Sequence, residues 1–181
     1  MSVWGHISNN MFAIYNRARP GGFSWFRHDA EHSLGANGGL NEARLLTDTV
    51  DRSIGQTWTQ FNPAWLHLRL TAHPEYLLEY ADRVNRYFFH GGILSSGPNI
   101  GRWLGRASQI DLAIIAESAR WGDARTAQPR TKTTWQTESD WVTGTFFPQR
   151  TQLVLNQMRS VNMFPRLGIV AFSQHGGEVL A

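Results

Sequence analysis

Hydrophobic and polar positions along this 181-residue chain change their period twice. Near the start the pattern is that of strands. MFAIY (11–15) and FSWF (23–26) are β-prone runs rich in aromatic residues, and N-R-A-R-P-G-G (16–22) between them is a cluster of turn formers. That arrangement predicts a hairpin, formed by about Met11–Tyr15 and Phe23–Arg27. SLGANGGLN follows at once. The stretch from Asn41 to Gln60 is polar, with Glu42 to Asp51 as its most helical part.

After Asn62 the period becomes helical. Asn62-Pro63 reads as an N-cap with proline at the first helical position, continued by AWLHLRL. His73-Pro74 starts a second helix, in which Tyr76, Leu77, Tyr80, Ala81, Val84, Tyr87 and Phe88 recur at three- and four-residue spacing. HGGILS ends it, with Gly91 available for a left-handed cap. A longer helix spans Ser96 to Trp121 on Ile100, Trp103, Leu104, Ala107, Ile110, Ala113 or Ile114, and Glu117, and Gly122 closes it. The Tyr76–Phe89 helix is expected to pack against the Ile100–Ala116 helix in one core. Residues 122–133 form a polar loop. A start at Thr133-Thr134 leads through TWQTESDWVTGTFF, and Pro148 breaks or restarts the helix before QRTQLVLNQMRSV. FPRLGIVAFSQHGGEVLA then loses helical periodicity and reads as a linker into a short strand and turn. There is no internal repeat.

Composition narrows this picture. The length suits one domain or a large piece of one, and no apolar run approaches a membrane span. With no cysteine, disulfides and thiolate metal sites are excluded. The formal charge is +3, and of the 17 basic residues all but Lys132 are arginine. These arginines are scattered among acids rather than gathered in a stripe, so nucleic acid is not the expected partner. Eight tryptophans and ten phenylalanines point first to a well-packed core, and second to a carbohydrate- or base-stacking surface.

WFRHDAEHSLG carries the densest chemistry, with His28, Asp29, Glu31 and His32 within five positions. On a helix, His28 and His32 would share one face and the H-D-x-x-H pattern would imitate a zinc hydrolase. On an extended backbone, Asp29 and Glu31 share one face and the histidines the other, which suits a hard, oxygen-ligated cation such as magnesium. The hairpin before and the glycine turns after leave no room for a long helix, so the extended arrangement is expected. The ordinary alternatives are a solvated strand end paired with arginine, and histidines satisfied by structural hydrogen bonds.

Four stretches together resemble the later half of bacterial CotH-type proteins, the spore-coat kinase family. These are SNNMFAIYNR with FSWFRHDAEHSLG, HPEYLLEYADRVNRYFFHGGILS, IDLAIIAESARWGD, and FFPQRTQLVLNQMRSVNMFP. The resemblance covers most of the chain; its second and third stretches are specific in combination, whereas the acidic segment alone is weak. It implies a mainly α fold, the helical C-lobe-like portion of an atypical protein-kinase-like fold with a short N-terminal β-hairpin. Residues 1–165 would form that portion without its N-lobe, and 166–181 a linker or the start of a following module. It implies transfer of the γ-phosphate of ATP to serine or threonine of a protein substrate, with Mg2+ or another divalent cation as cofactor. Asp29 matches the metal-holding aspartate and Glu31 the second acidic position, while Asn9 and Asn10 fall near the catalytic loop as nucleotide- and metal-side oxygen donors. Asparagines there also have ordinary turn-forming roles. Neighbouring domains of the same polypeptide are the other implied partners, and an exported, cell-surface or coat-associated setting is what the family points to.

The chain also departs from the family. No acid precedes Asp29, so the catalytic-loop aspartate is missing and no catalytic residue is assigned. No glycine-rich loop precedes a lysine-bearing strand, and Lys132 sits in a late polar loop. The chain alone is therefore expected to be inactive, two carboxylates without further ligands making a weak magnesium site. The alternative is a pseudokinase or structural interaction module of a multidomain surface or coat protein.

Overall fold

A computed structural model describes residues 11–27, 33–36, 38–42 and 63–166. The fold is mainly helical, with a two-stranded antiparallel hairpin at its start. β1 (Met11–Tyr15) pairs with β2 (Phe23–Arg27) in the register Met11↔Arg27 through Tyr15↔Phe23, at the bounds that the alternation predicts. The Asn16 side chain holds the connecting turn by accepting from the Ala18 and Arg19 amides at 2.9 and 3.1 Å. Directly opposed residues share a face, so Phe12 stacks on Phe26 at 5.6 Å on one side and Tyr15 meets Phe23 at 5.3 Å on the other.

α1 (Pro63–Leu70) and α2 (Pro74–Phe88) both open on proline, where the missing amide costs nothing. The Tyr76 hydroxyl lies 2.7 Å from His67 Nδ1 and fastens α1 to α2. Beyond α2 the chain reverses through His90 and Gly91, both in the left-handed region at φ 51° and 76°. At Gly92 the backbone folds so closely under the helix end that a Cβ would run into the Arg86 and Tyr87 carbonyls. The left-handed cap expected of Gly91 is thus spread over two residues, with Gly92 supplying the close approach.

α3 (Ser96–Trp121) has the bounds the periodicity predicts and stops at Gly122. α4 (Lys132–Trp141) starts slightly earlier than Thr133-Thr134. Thr131 and Thr134 cap each other reciprocally, each side chain accepting from the other's backbone amide, and this sets the start at Lys132.

Pro148 neither ends the helix nor leaves it intact. A π-helical turn, Val142–Phe146, joins α4 to α5 (Phe147–Ser160), and the Phe147 amide donates to the Val142 carbonyl five residues back. Proline lacks an amide, and its ring collides with the carbonyl four positions earlier, here that of Gly144. A wider turn moves that carbonyl aside, so the chain continues in one direction.

The core corrects one packing expectation. α2 packs not on α3 but on α5 and the chain after it. Val84 of α2 joins Val154, Leu155, Met158 and Phe164, with Phe88, Phe89 and Met163 against them. Leu155 and Met158 are 2% and 1% exposed. α3 has no buried residue. It leans on α4 and α5 through Trp103, whose indole N–H donates to Ser139 Oγ at 2.8 Å and whose ring meets Phe147 edge-on, and through the Lys132–Asp111 ion pair at 2.6 Å. Apolar periodicity marks the buried face of α2 but not the helix that covers it.

Candidate functional site

Asn9, Asn10, His28, Asp29, Glu31 and His32 lie outside the described residues, as do the stretch 43–62 and the tail from 167. The residues flanking the candidates are described. Met11, next after Asn10, is paired with Arg27, next before His28. The chain resumes at Ser33, directly after His32, in a turn held against the helices.

That turn is built from unusual backbone. Leu34, Gly35 and Gly39 all have positive φ, at 58°, 82° and 64°, and the Gly39 amide closes the turn on the Gly35 carbonyl at 2.8 Å. A Cβ on Gly35 would sit 3.1 Å from the far edge of the Trp141 ring and 3.0 Å from the Gly39 oxygen. Glycine is required there both for its φ and for the indole lying over it. α5 anchors the end of the turn. Arg150 donates to the Leu40 carbonyl at 2.8 Å and lies over the Phe146 ring, and the Gln157 amide donates to the Glu42 carbonyl at 3.3 Å. Burial pulls the Arg150 guanidinium below its ordinary value, and the charge of Glu42 opposes that shift.

Between this turn and the helices lies an open cleft of about 600 Å³. Leu34 and Gly35 form one side, Trp103 of α3 the second, and Thr137, Glu138 and Trp141 of α4 the third. Glu138 is exposed and has no ion pair among the described residues. The Trp103 N–H is committed to buried Ser139, so that indole offers its ring rather than its donor. Sequence reasoning did not find this cleft, because its walls come from segments about 70 and 100 residues from the turn. The available signal was the glycine-rich SLGANGGLN run, an invitation to close approach by a large side chain.

A second cluster joins His67, Tyr76 and Tyr80. Burial pushes the His67 imidazole below its ordinary value and raises the Tyr76 hydroxyl. Burial, with Tyr76 adding to it, pushes Tyr80 up to about 12. All three groups are thereby held neutral at neutral pH. This is the state of a structural hydrogen bond, not of an activated nucleophile.

Among the described residues no group of three or more histidine, aspartate or glutamate side chains could hold a metal. No described helix is long and apolar enough to cross a membrane. No family model, curated protein or solved structure matches this chain.

Proposed function

We propose that the chain supplies the metal-binding half of a CotH-like, ATP-dependent Ser/Thr phosphotransfer site and is inactive alone. Asp29 and Glu31 hold Mg2+ on the triphosphate, neutralising charge that develops as the phosphoryl group moves. Asn9 and Asn10 add oxygen donors on the nucleotide side. The lysine that grips the phosphates and the aspartate that accepts the substrate proton come from an N-lobe and a catalytic loop that this sequence does not contain.

The supporting observation is the pairing of Met11 with Arg27. An asparagine dipeptide directly before β1 and an acidic segment directly after β2 adjoin the same end of one hairpin, and a two-loop metal site needs that connectivity. The acidic segment is followed at once by the turn that Arg150 and Gln157 anchor.

Calorimetry with magnesium and zinc tests the reading. Feeble magnesium binding, lost in Asp29→Asn and in Glu31→Gln, is expected. In a longer polypeptide carrying a lysine-bearing N-lobe, Asp29→Asn abolishes phosphate transfer and leaves the fold intact. Tight zinc binding lost in both His28→Ala and His32→Ala would replace this reading with the hydrolase.

The interaction-module reading has one observation in its favour. Ile14 and Phe26 on one face of the hairpin, and Tyr15 and Phe23 on the other, are exposed. A two-stranded ribbon with apolar residues on both faces is the form of a strand pair that other protein covers.

A further inference from the structure

We propose that the cleft between the Ser33–Ala36 turn and α4 binds a small organic cation of the alkylammonium class. The inference rests on the cleft itself and not on the phosphotransfer reading.

The lining selects by charge. Among the described residues Glu138 is the one ionisable side chain lining the cleft, and no described basic residue lines it, although the chain as a whole is basic. Basic groups on the surrounding elements are engaged elsewhere. Arg102 donates to Asn99 Oδ1 and to the Ile93 carbonyl, and Arg106 to Gln109 Oε1. Lys132 is paired with Asp111, and Arg150 donates to the Leu40 carbonyl. Glu138 is left without an internal counter-ion among the described residues.

The lining also selects by shape and softness. Two indoles, from Trp103 and Trp141, wall a mostly apolar space within the size range of ligand pockets. An indole attracts a weakly hydrated cation through its electron-rich face. Phosphate and carboxylate ligands are disfavoured, because no described residue of the lining offers a cation and the Trp103 N–H is already spent on Ser139. A sugar needs several donors and acceptors converging on it, and the Thr137 hydroxyl is turned to the Thr133 carbonyl at 3.0 Å. An alkylammonium group needs one carboxylate and aromatic walls, which are present.

The fixed geometry supports recognition over casual contact. Trp103 is held by its hydrogen bond to Ser139 and by Phe147, and Trp141 by Gly35 beneath it and Phe146 beside it. Little ordering of the two indoles is left to occur on binding.

Ligand-observed proton NMR on the full chain separates charge from shape, using choline and its neutral isostere 3,3-dimethylbutan-1-ol. A saturable upfield shift of the choline methyl resonance is expected, produced by the indole ring current. The isostere should bind about tenfold more weakly, which corresponds to about 1.4 kcal/mol. Glu138→Gln should weaken choline by a similar factor while leaving thermal unfolding unchanged, because the residue is exposed. Equal binding of the two probes would overturn the proposal in favour of a shape-selective apolar cleft. Undiminished choline binding in Glu138→Gln, or no saturation by choline, would overturn it as well.

Discussion

His67 shows how one buried polar contact makes stability depend on pH. Its imidazole is partly buried between α1 and α2, where the Tyr76 hydroxyl meets Nδ1 and the Tyr80 ring packs against it. Desolvation disfavours the charged form, so the folded value lies below the unfolded one. The unfolded chain therefore takes up this proton first as pH falls. The stabilisation is fully present above the ordinary histidine value of about 6.5 and is lost as pH drops from there through the lowered folded value. Urea unfolding at pH 7.5 and pH 5.5 should show the loss, and His67→Gln, which can still bond to Tyr76 but does not titrate, should reduce it. An equal loss in that variant would assign the slope to other groups. The sequence indicated that α1 exists, but not that His67 meets Tyr76. Nine positions and a change of helix separate the two residues, so no periodicity links them.

α3 is long, regular and expensive in glycine. Gly97, Gly101 and Gly105 recur every four residues along one row, and the space where each Cβ would go is open. An interior helical glycine costs roughly 0.5–1 kcal/mol relative to alanine, because the unfolded chain gives up more freedom there. Gly101→Ala and Gly105→Ala should therefore each stabilise the chain by roughly that amount, read from urea midpoints. A loss of stability in either variant would show that the row is covered in solution. The bounds of α3 were readable from sequence because its apolar residues keep one period between two clear punctuation marks, the HGGILS turn and Gly122. The joint at Pro148 was only half readable. Proline announces a broken ladder, but not whether the chain stops, kinks or widens there, and the π-helical turn Val142–Phe146 is how it continues.

The molecule divides its apolar residues unevenly between inside and outside. The core joins α2 to α5 around Leu155 and Met158. Leu155→Ala and Met158→Ala should each cost about 2–5 kcal/mol. Leu112→Ala on α3, where the side chain is 78% exposed, should change stability by less than about 0.5 kcal/mol. Thermal unfolding of the three variants would check the contrast, and a large loss in Leu112→Ala would move the core toward α3. Sequence reasoning placed the hairpin and the helices but matched α2 with the wrong partner, since α3 and α5 both carry apolar stripes. The reversal through His90, Gly91 and Gly92 decides between them, and it leaves no mark on periodicity. WFRHDAEHSLG stands out in the sequence as a local concentration of ligand-type residues, and those residues lie outside the described ones. The cleft behind the Ser33–Ala36 turn was not legible, because Trp103, Trp141 and Gly35 become neighbours only through the fold.

The Lys132–Asp111 pair has a practical corollary. No other lysine occurs in the chain, so apart from the α-amine an amine-directed reagent finds a single address, at the seam between α3 and α4. Acylation there deletes the cation that Asp111 holds and loosens that seam without touching the α2–α5 core. Tethering through the same amine would fix every molecule on a surface in one orientation. The choice of linkage chemistry then becomes a choice of which face of the protein is presented to a partner in solution.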